Sequence, residues 1–197
     1  MATSRRDQLI DTALDLFNRN GYHATGIDRI LAESGVAKMT LYNHFGSKDA
    51  LIQAALETRD KRWRAWFHDA VARRAETPRG RLLAVFDALD EWFARPDFHG
   101  CLFIRAAGEY AELDNPIHAA AAAHQRLVLA ELRDLAAAAG ARHPARLARE
   151  IMLLALGAMV ATQVNGPVAA GQAAKKAAAV LIDAALAPGG TRASVPA

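Results

Sequence analysis

Cysteine is almost missing from this chain: Cys101 is the only one among 197 residues. A single thiol can form neither an intrachain disulfide nor a multi-cysteine metal site, which fits a reducing compartment. No secretory leader is visible, because Met1 to Gln8 contain charges but no apolar segment. Long hydrophobic runs are missing too. The longest, Ile151 to Val164, is interrupted by Thr162 and Gln163 and falls short of the roughly 20 residues that a membrane span needs. The expectation is a cytoplasmic protein with no membrane anchor. Catalytic motifs are equally sparse. There is no glycine-rich phosphate loop, and Cys101 with His99, two apart on a loop, lack a third group to orient them as a hydrolytic pair. His118 and His124, six apart, face different sides of a helix, so neither a metal site nor a cofactor is expected. An enzyme is the weaker reading.

An excess of charge of one sign is also lacking. The formal charge is +3 and the pI near 9.3, which allows nucleic-acid binding without demanding it. Residues 1–50 hold six basic side chains (Arg5, Arg6, Arg19, Arg29, Lys38, Lys48) against six acidic ones (Asp7, Asp11, Asp15, Asp28, Glu33, Asp49). Any attraction to DNA must come from placement.

What the chain does have is helical spacing almost throughout, with 52% hydrophobic content and no internal repeat. Glycine follows the periodic segments, and proline, serine or threonine precedes them. An all-α fold of about nine helices follows. Leu9, Ile10, Ala13, Leu14 and Phe17 make the buried stripe of a first helix that Gly21 ends. Thr25 with Asp28 approximates a capping box for a second, short helix buried through Ile27, Ile30 and Leu31, and Gly35 closes it. A third helix spans Ala37 to Phe45. Ser47 caps a long fourth helix reaching about Arg74, and Thr77-Pro78, Cys101, Asn115-Pro116 and His143-Pro144 open later ones. Helix five ends near Arg95-Pro96, Gly140 closes helix seven, and Asn165-Gly166-Pro167 separates the last two. The alanine runs at 119–123 and 136–139 sit inside a periodic helix, where alanine is the best helix former. The expected organisation is a small domain over 1–50, a larger helical one over 51–187 and a disordered tail over 188–197.

Two short helices joined by a glycine turn and braced by a first helix form the unit that lays its last helix in the DNA major groove. At about 100° per residue, Ala37, Leu41 and Phe45 share the inner side of helix three. Met39 and Asn43 point outward, flanked by Thr40 and Tyr42. Asparagine pairs with adenine edges, a threonine hydroxyl serves either base type, and methyl groups meet the thymine methyl. Thr25, Tyr42, His44 and Lys48 suit phosphates, and Lys38 belongs to the same contact set.

These residues carry a family resemblance. Gly21-Tyr22-His23-Ala24-Thr25, then Ile27, then GVAKMTLYNHFGSKDAL from Gly35 to Leu51, resembles the TetR family of bacterial regulators. Two departures stand out: Ala37 where the family often has serine, and Gly26 where a second hydroxyl or small residue is common. The resemblance implies an Ω-like pair of all-helical subunits that bind operator DNA, dimerised through the last two helices, with a ligand cavity in each larger domain. On that basis the expected function is a ligand-responsive repressor, bound as a dimer to a palindromic operator and released by a small-molecule inducer. An effector-independent regulator or an activator is the alternative.

Helix eight is apolar nearly all round, and helix nine repeats the combination with Lys175 and Lys176 exposed. Leu154, Ala158 and Ala161 with Val180, Leu181 and Ala184 are the expected dimer contacts. The aromatic-rich stretch between helices four and eight supplies the expected lining of an effector cavity: Trp63, Phe67, Phe86, Trp92, Tyr110 and Met152, with Arg105, Glu109 and His118 as polar anchors. Arg105 and Glu109, four apart, can also pair with each other. Cys101 has two readings. The Gly100-Cys101-Leu102 segment with its Ala107–Asp114 sequel is similar to a TetR subgroup whose cysteine senses electrophiles, and a helix N-terminus with Arg105 one turn on favours thiolate; equally, it is a small buried residue.

Overall fold

A computed structural model of the chain describes residues 4–166 and 168–187. Among these the fold is all-α, with nine helices and no strand. They are α1 Arg5–Asn20, α2 Ile27–Ser34, α3 Lys38–Phe45, α4 Lys48–Ala72, α5 Pro78–Phe93, α6 Leu102–Glu109, α7 Pro116–Ala138, α8 Pro144–Asn165 and α9 Ala170–Leu186. The break at Pro167 and the tail from Pro188 lie outside the described residues.

Local chemistry sets most boundaries. Ser4 accepts from the Asp7 amide at 3.1 Å and starts α1. Ser47 accepts from Ala50 N, Thr77 from Gly80 N and Asn115 from Ile117 N, capping α4, α5 and α7 at 3.1, 3.1 and 2.8 Å. Gly35, at φ 66°, closes α2 in the left-handed conformation that glycine tolerates. The capping box expected at Thr25 is absent. Gly26 is the N-cap of α2 and has no side chain to offer. Thr25 is fully buried and donates its hydroxyl to the Gly21 carbonyl at 2.7 Å. Ends set by packing come earlier than the pattern indicated: α4 stops at Ala72 and α5 at Phe93.

The chain forms two compact groups of helices. Of the described residues, one gathers those up to Asp69 together with Ala94–Val128; the other takes Ala70–Phe93 and those from Leu129 onward. In the first, α1 packs on α2 and α3. Leu9, Ile10, Ala13, Leu16 and Phe17 of α1 meet Tyr22, Ile30, Val36 and Leu41 in a buried core. Phe45, expected inside beside Leu41, is half-exposed, and Arg6 covers its ring with the guanidinium carbon 5.5 Å from the centroid.

In the second group α5, α8 and α9 pack together through Leu82, Val85, Phe86 and Leu89, Leu147, Ile151 and Met159, and Ala174, Ala178 and Ile182. Gly171 lets α9 approach α5 closely, because a Cβ there would collide with the Asp90 carboxylate. Lys175, expected in solvent, is half-buried and bridges to Asp87 at 2.6 Å, while Lys176 is exposed. α8 is long and apolar enough to cross a membrane by composition. Its buried side faces α5 and α9, and Leu153, Val160 and Val164 remain uncovered on the other.

Both helices of the second and third positions start without a side-chain cap, at Gly26 and Ala37. Ala37 has extended backbone, φ −64° and ψ 144°, the geometry in which a serine hydroxyl accepts from the first turn. Ala37→Ser is therefore expected to stabilise the protein by about 0.5–2 kcal/mol. The reading is a higher urea midpoint at unchanged slope; an unmoved midpoint would mean that water already satisfies the α3 amides equally well.

Candidate nucleic-acid interface

Helices α2 and α3 are held as a unit by contacts made to their connecting turn. Gln8 of α1 donates to the Ser34 carbonyl at 2.7 Å, and the Ser34 hydroxyl accepts from Val36 N at 3.3 Å. With Leu41 pinned in the core, the opposite face of α3 must look outward. Met39 is 69% exposed and Tyr42 39%; Lys38, Asn43 and His44 are exposed as well. Thr40 and Lys48 are half-buried at the edges of this face. Lys38 makes a long contact to Asp28, 3.9 Å. The face is polar and methyl-rich, with two lysines at its margins. Thr25 does not join it, since its hydroxyl is turned inward to Gly21.

The turn between α1 and α2 is gripped from a distant part of the chain. Arg105 of α6 donates to the carbonyls of Phe17 and Asn18, at 3.1 and 2.9 Å, and to His99 O at 3.0 Å. Glu109, one helical turn on, accepts from the amides of Tyr22 and His23 at 3.0 and 2.6 Å. The two side chains thus do not pair with each other. A guanidinium sits on the carbonyl end of α1 and a carboxylate on the amides that follow, each matching the sign of what it meets. The Tyr22 hydroxyl donates to Leu102 O at 3.0 Å, Asn18 donates to Asp97 O at 2.8 Å, and the His23 ring lies 4.8 Å from that of Tyr110. Burial pushes the Tyr110 hydroxyl up to about 12, with help from Asp49 and Glu109. At Gly21, φ is 87° and an added Cβ would lie 2.7 Å from Glu109 Oε1, so only glycine fits.

A second cluster surrounds His124. Its ring stacks on Phe103 at 3.7 Å and meets Trp63 edge-on at 5.4 Å, and Trp63 stacks in turn on Phe67 at 4.8 Å. His124 Nδ1 lies 2.7 Å from Asp60 Oδ1, and Arg64 donates to both oxygens of the same carboxylate at 2.9 and 2.8 Å. Burial holds the His124 pKa below the ordinary value, partly offset by Asp60. For Asp60, burial works upward but the hydrogen bonds from Arg64 and His124 outweigh it, so the carboxyl stays below the usual range. The pair is a carboxylate and a neutral imidazole. The signal for Asp60 was its place in the 56, 60, 63, 67 spacing of α4, a carboxylate on the stripe of Leu56, Trp63 and Phe67.

The remaining expected effector residues are divided by the two groups of helices. Trp63, Phe67, Cys101, Arg105, Glu109, Tyr110 and His118 belong to the first; Phe86, Trp92 and Met152 belong to the second. Phe86 is fully buried core, and His118 places Nδ1 2.8 Å from the Tyr110 carbonyl. Cys101 is the buried N-cap of α6. Burial raises its thiol pKa, against backbone amides and Arg59 that lower it. Arg105, expected to favour a thiolate there, is engaged on backbone carbonyls instead. Among the expected dimer contacts, Ala158 is buried inside its own subunit, Leu154, Ala161 and Leu181 are half-buried, and Val180 and Ala184 are exposed. Leu153 and Val164, 70% and 74% exposed, were not expected there.

A braced three-helix head with an outward polar helix defines a helix-turn-helix DNA-binding protein. The family model for bacterial regulatory proteins of the tetR family matches residues 9–55, and one for the tetracyclin repressor-like C-terminal domain matches 78–178. The crystal structure of SCO4454, a TetR-family transcriptional regulator from Streptomyces coelicolor, superimposes with a TM-score of 0.86 at 31% identity, covering 93% of this chain and 96% of that one. The transcriptional activator FasR of Mycolicibacterium smegmatis is 47% identical over 53 residues, and the regulator UidR of Escherichia coli 33% over 70. Those stretches span 27% and 36% of this chain, and only 24% and 36% of the relatives. The chain belongs to the TetR family: it is a DNA-binding transcriptional regulator and not an enzyme. Dimers are typical of that family.

Two measurements check the grip and the buried pair. Glu109→Ala leaves two amides without their charged acceptor and is expected to cost about 2–4 kcal/mol of stability, read as a lower urea midpoint; a shift within the noise would mean the turn holds itself. Because folding lowers the proton affinity of His124, the unfolded chain binds the proton first as pH falls below 6.5. Stability is then lost with acidification. Asp60, also lowered, adds a loss of the same sign at more acidic pH. Between pH 7.5 and 5.5, ~2 units spanning the histidine range, His124→Gln is expected to lose less stability than the parent protein; parallel losses would contradict the assignment.

Proposed function

We propose that this chain is a ligand-responsive repressor, a cytoplasmic homodimer that binds a palindromic operator and is released by an apolar small-molecule inducer. Residues 1–50 read DNA, and residues 51–187 take the effector and pair the subunits. The observation that carries the reading is α6 itself. On one eight-residue helix, Phe103 packs against His124 in the aromatic cluster while Arg105 and Glu109 grip the turn that sets the start of α2. A ligand entering among Trp63, Phe67 and His124 displaces Phe103, and α6 carries the displacement to the DNA-reading head. The ligand must bind the displaced state more tightly; moving the operator from near-saturation to near-release takes a preference of about 10⁴, about 5.5 kcal/mol. The buried Cys101 thiol supports an apolar inducer over an electrophilic one.

On DNA, Met39, Thr40 and Asn43 meet base edges, while Lys38, Tyr42, His44 and Lys48 contact phosphates. The uncovered stripe of Leu153, Val160 and Val164 on α8, with Val180 and Ala184 on α9, supports a two-fold interface. Half-sites then lie one helical turn, about 34 Å, or a multiple apart. Activation is the second reading, favoured by FasR, which is an activator; a reporter driven by the chain's own upstream promoter separates the two by the direction of change on deletion.

The test is binding of the purified protein to its own upstream intergenic DNA, with and without a panel of apolar and electrophilic compounds. Palindrome-specific binding reversed by an apolar compound is expected. Binding indifferent to every compound would overturn the ligand response, and release that disappears only in Cys101→Ser would replace the apolar inducer by an electrophile. Thr40→Ala is expected to cost about 1–3 kcal/mol at one base position, and Lys48→Ala to weaken all sequences and reduce the salt slope by about 1. Val160→Arg is expected to give monomers in sedimentation and to lose operator binding with them; a variant that stays dimeric would move the interface elsewhere.

A further inference from the structure

The cleft beside α1 contains a basic group that the DNA and effector readings do not use. Arg59 of α4 is half-buried and, among the described residues, its guanidinium makes neither a hydrogen bond nor an ion pair. Burial lowers its pKa, with Arg95 adding to the depression and Asp97, Cys101 and Tyr22 opposing it. A guanidinium brings five N–H donors in a rigid fork, and withdrawing them from water with no acceptor is unfavourable. The cleft onto which Arg59 opens has a volume of about 300 Å³, the lower end of what small-molecule sites occupy.

The charges around the cleft are already sorted into pairs, with two exceptions. Asp11 is held by Arg62 at 2.5 Å and Asp15 by Arg19 at 2.5 Å. Asn18 has its amide on the Asp97 carbonyl. That leaves the Arg59 guanidinium and the Asp97 carboxylate, opposite charges lining one cleft that feel each other's field but form no salt bridge among the described residues. Leu14 and Leu102 supply its apolar surface. A simple anion would approach three carboxylates here, and a simple cation two guanidiniums. A molecule with one charge of each sign satisfies both unpaired groups and disturbs neither existing bridge.

We propose that this cleft is a second small-molecule site, separate from the aromatic cluster, which binds a compact amino-acid zwitterion with its carboxylate on Arg59 and its ammonium on Asp97. The site does not rest on the repressor reading, since its evidence is the pairing of charges in the cleft. A side chain on the zwitterion lies against Leu14 and Leu102, so an apolar amino acid binds more tightly than glycine.

Calorimetric titration of the full-length protein with L-leucine, glycine and γ-aminobutyrate tests the proposal, with 4-methylpentanoate and isoamylamine as leucine analogues carrying one charge each. The expected result is saturable binding of L-leucine, weakened at least about tenfold in either single-charge analogue and in Arg59→Gln and Asp97→Asn. Asp97 is an exposed loop residue, so Asp97→Asn keeps the test decisive if Arg59→Gln disturbs folding, as thermal unfolding of each variant will reveal. Absence of binding by all three zwitterions to the parent protein would overturn the proposal. So would 4-methylpentanoate binding as tightly as L-leucine, which would make the cleft an anion site, or undiminished affinity in Asp97→Asn.

Discussion

The carbonyl end of α1 and the amides that follow it are polar groups that no helix can satisfy from within. Arg105 and Glu109 satisfy them from 86 to 88 residues further along the chain. Because Gly21 bends there at φ 87° and Thr25 closes the turn from inside, the direction in which α2 leaves is set by this grip. α3 inherits that direction through the Gln8 and Ser34 contacts to its own turn. The outward face of Met39, Tyr42 and Asn43 is therefore a consequence of a distant helix as much as of its own spacing. Charge-assisted hydrogen bonds of this kind are stronger than neutral ones, and they are directional, so the head can be held rigidly with few groups.

The same helix carries Phe103 into a different environment. A carboxylate among aromatic rings is stable there only because Arg64 and His124 satisfy its oxygens. The imidazole remains neutral because burial outweighs the carboxylate beside it. The Asp60, Arg64 and His124 side chains satisfy one another inside an apolar shell, and such a network fixes the positions of the rings around it. Phe103, which stacks on that network, lies two residues from Arg105 on α6, so one short helix touches both the aromatic cluster and the end of α1.

α8 illustrates how one apolar helix serves two surfaces. Its buried side meets α5 and α9 through Leu147, Ile151, Ala155 and Met159, and its uncovered side presents Leu153, Val160 and Val164. Polar positions are scarce over much of this helix because apolar residues occupy both its covered and its uncovered side. That accounts for a membrane-like composition in a regulator of transcription. The ion pairs of Lys175 and Arg79, to Asp87 and Asp183, join α9 to α5, and leave the apolar residues of α9 free to extend the stripe.

How much was legible in the sequence depended on range. Helix existence, the caps at Ser47, Thr77 and Asn115, the turn at Gly35 and the outward face of α3 follow from neighbours within one or two turns, and these were readable from residue order. Phe45 escaped because its cover, Arg6, comes from another helix. Thr25 escaped because a buried carbonyl four residues back competed for its hydroxyl. Arg105 and Glu109 were recognisable as polar anchors but not as a grip on α1, and Asp60 with His124, or Arg59 with Asp97, could not be joined across the chain at all. Ala158 and Leu153 are five apart on one apolar helix, and composition could not tell which side another helix would cover. The sequence alone determined the helices and the family, because caps, periodicity and turn glycines act locally; the tertiary structure decided which polar groups were satisfied, which apolar ones stayed uncovered and what held the DNA-reading head, because those outcomes depend on partners that only folding brings within hydrogen-bond distance.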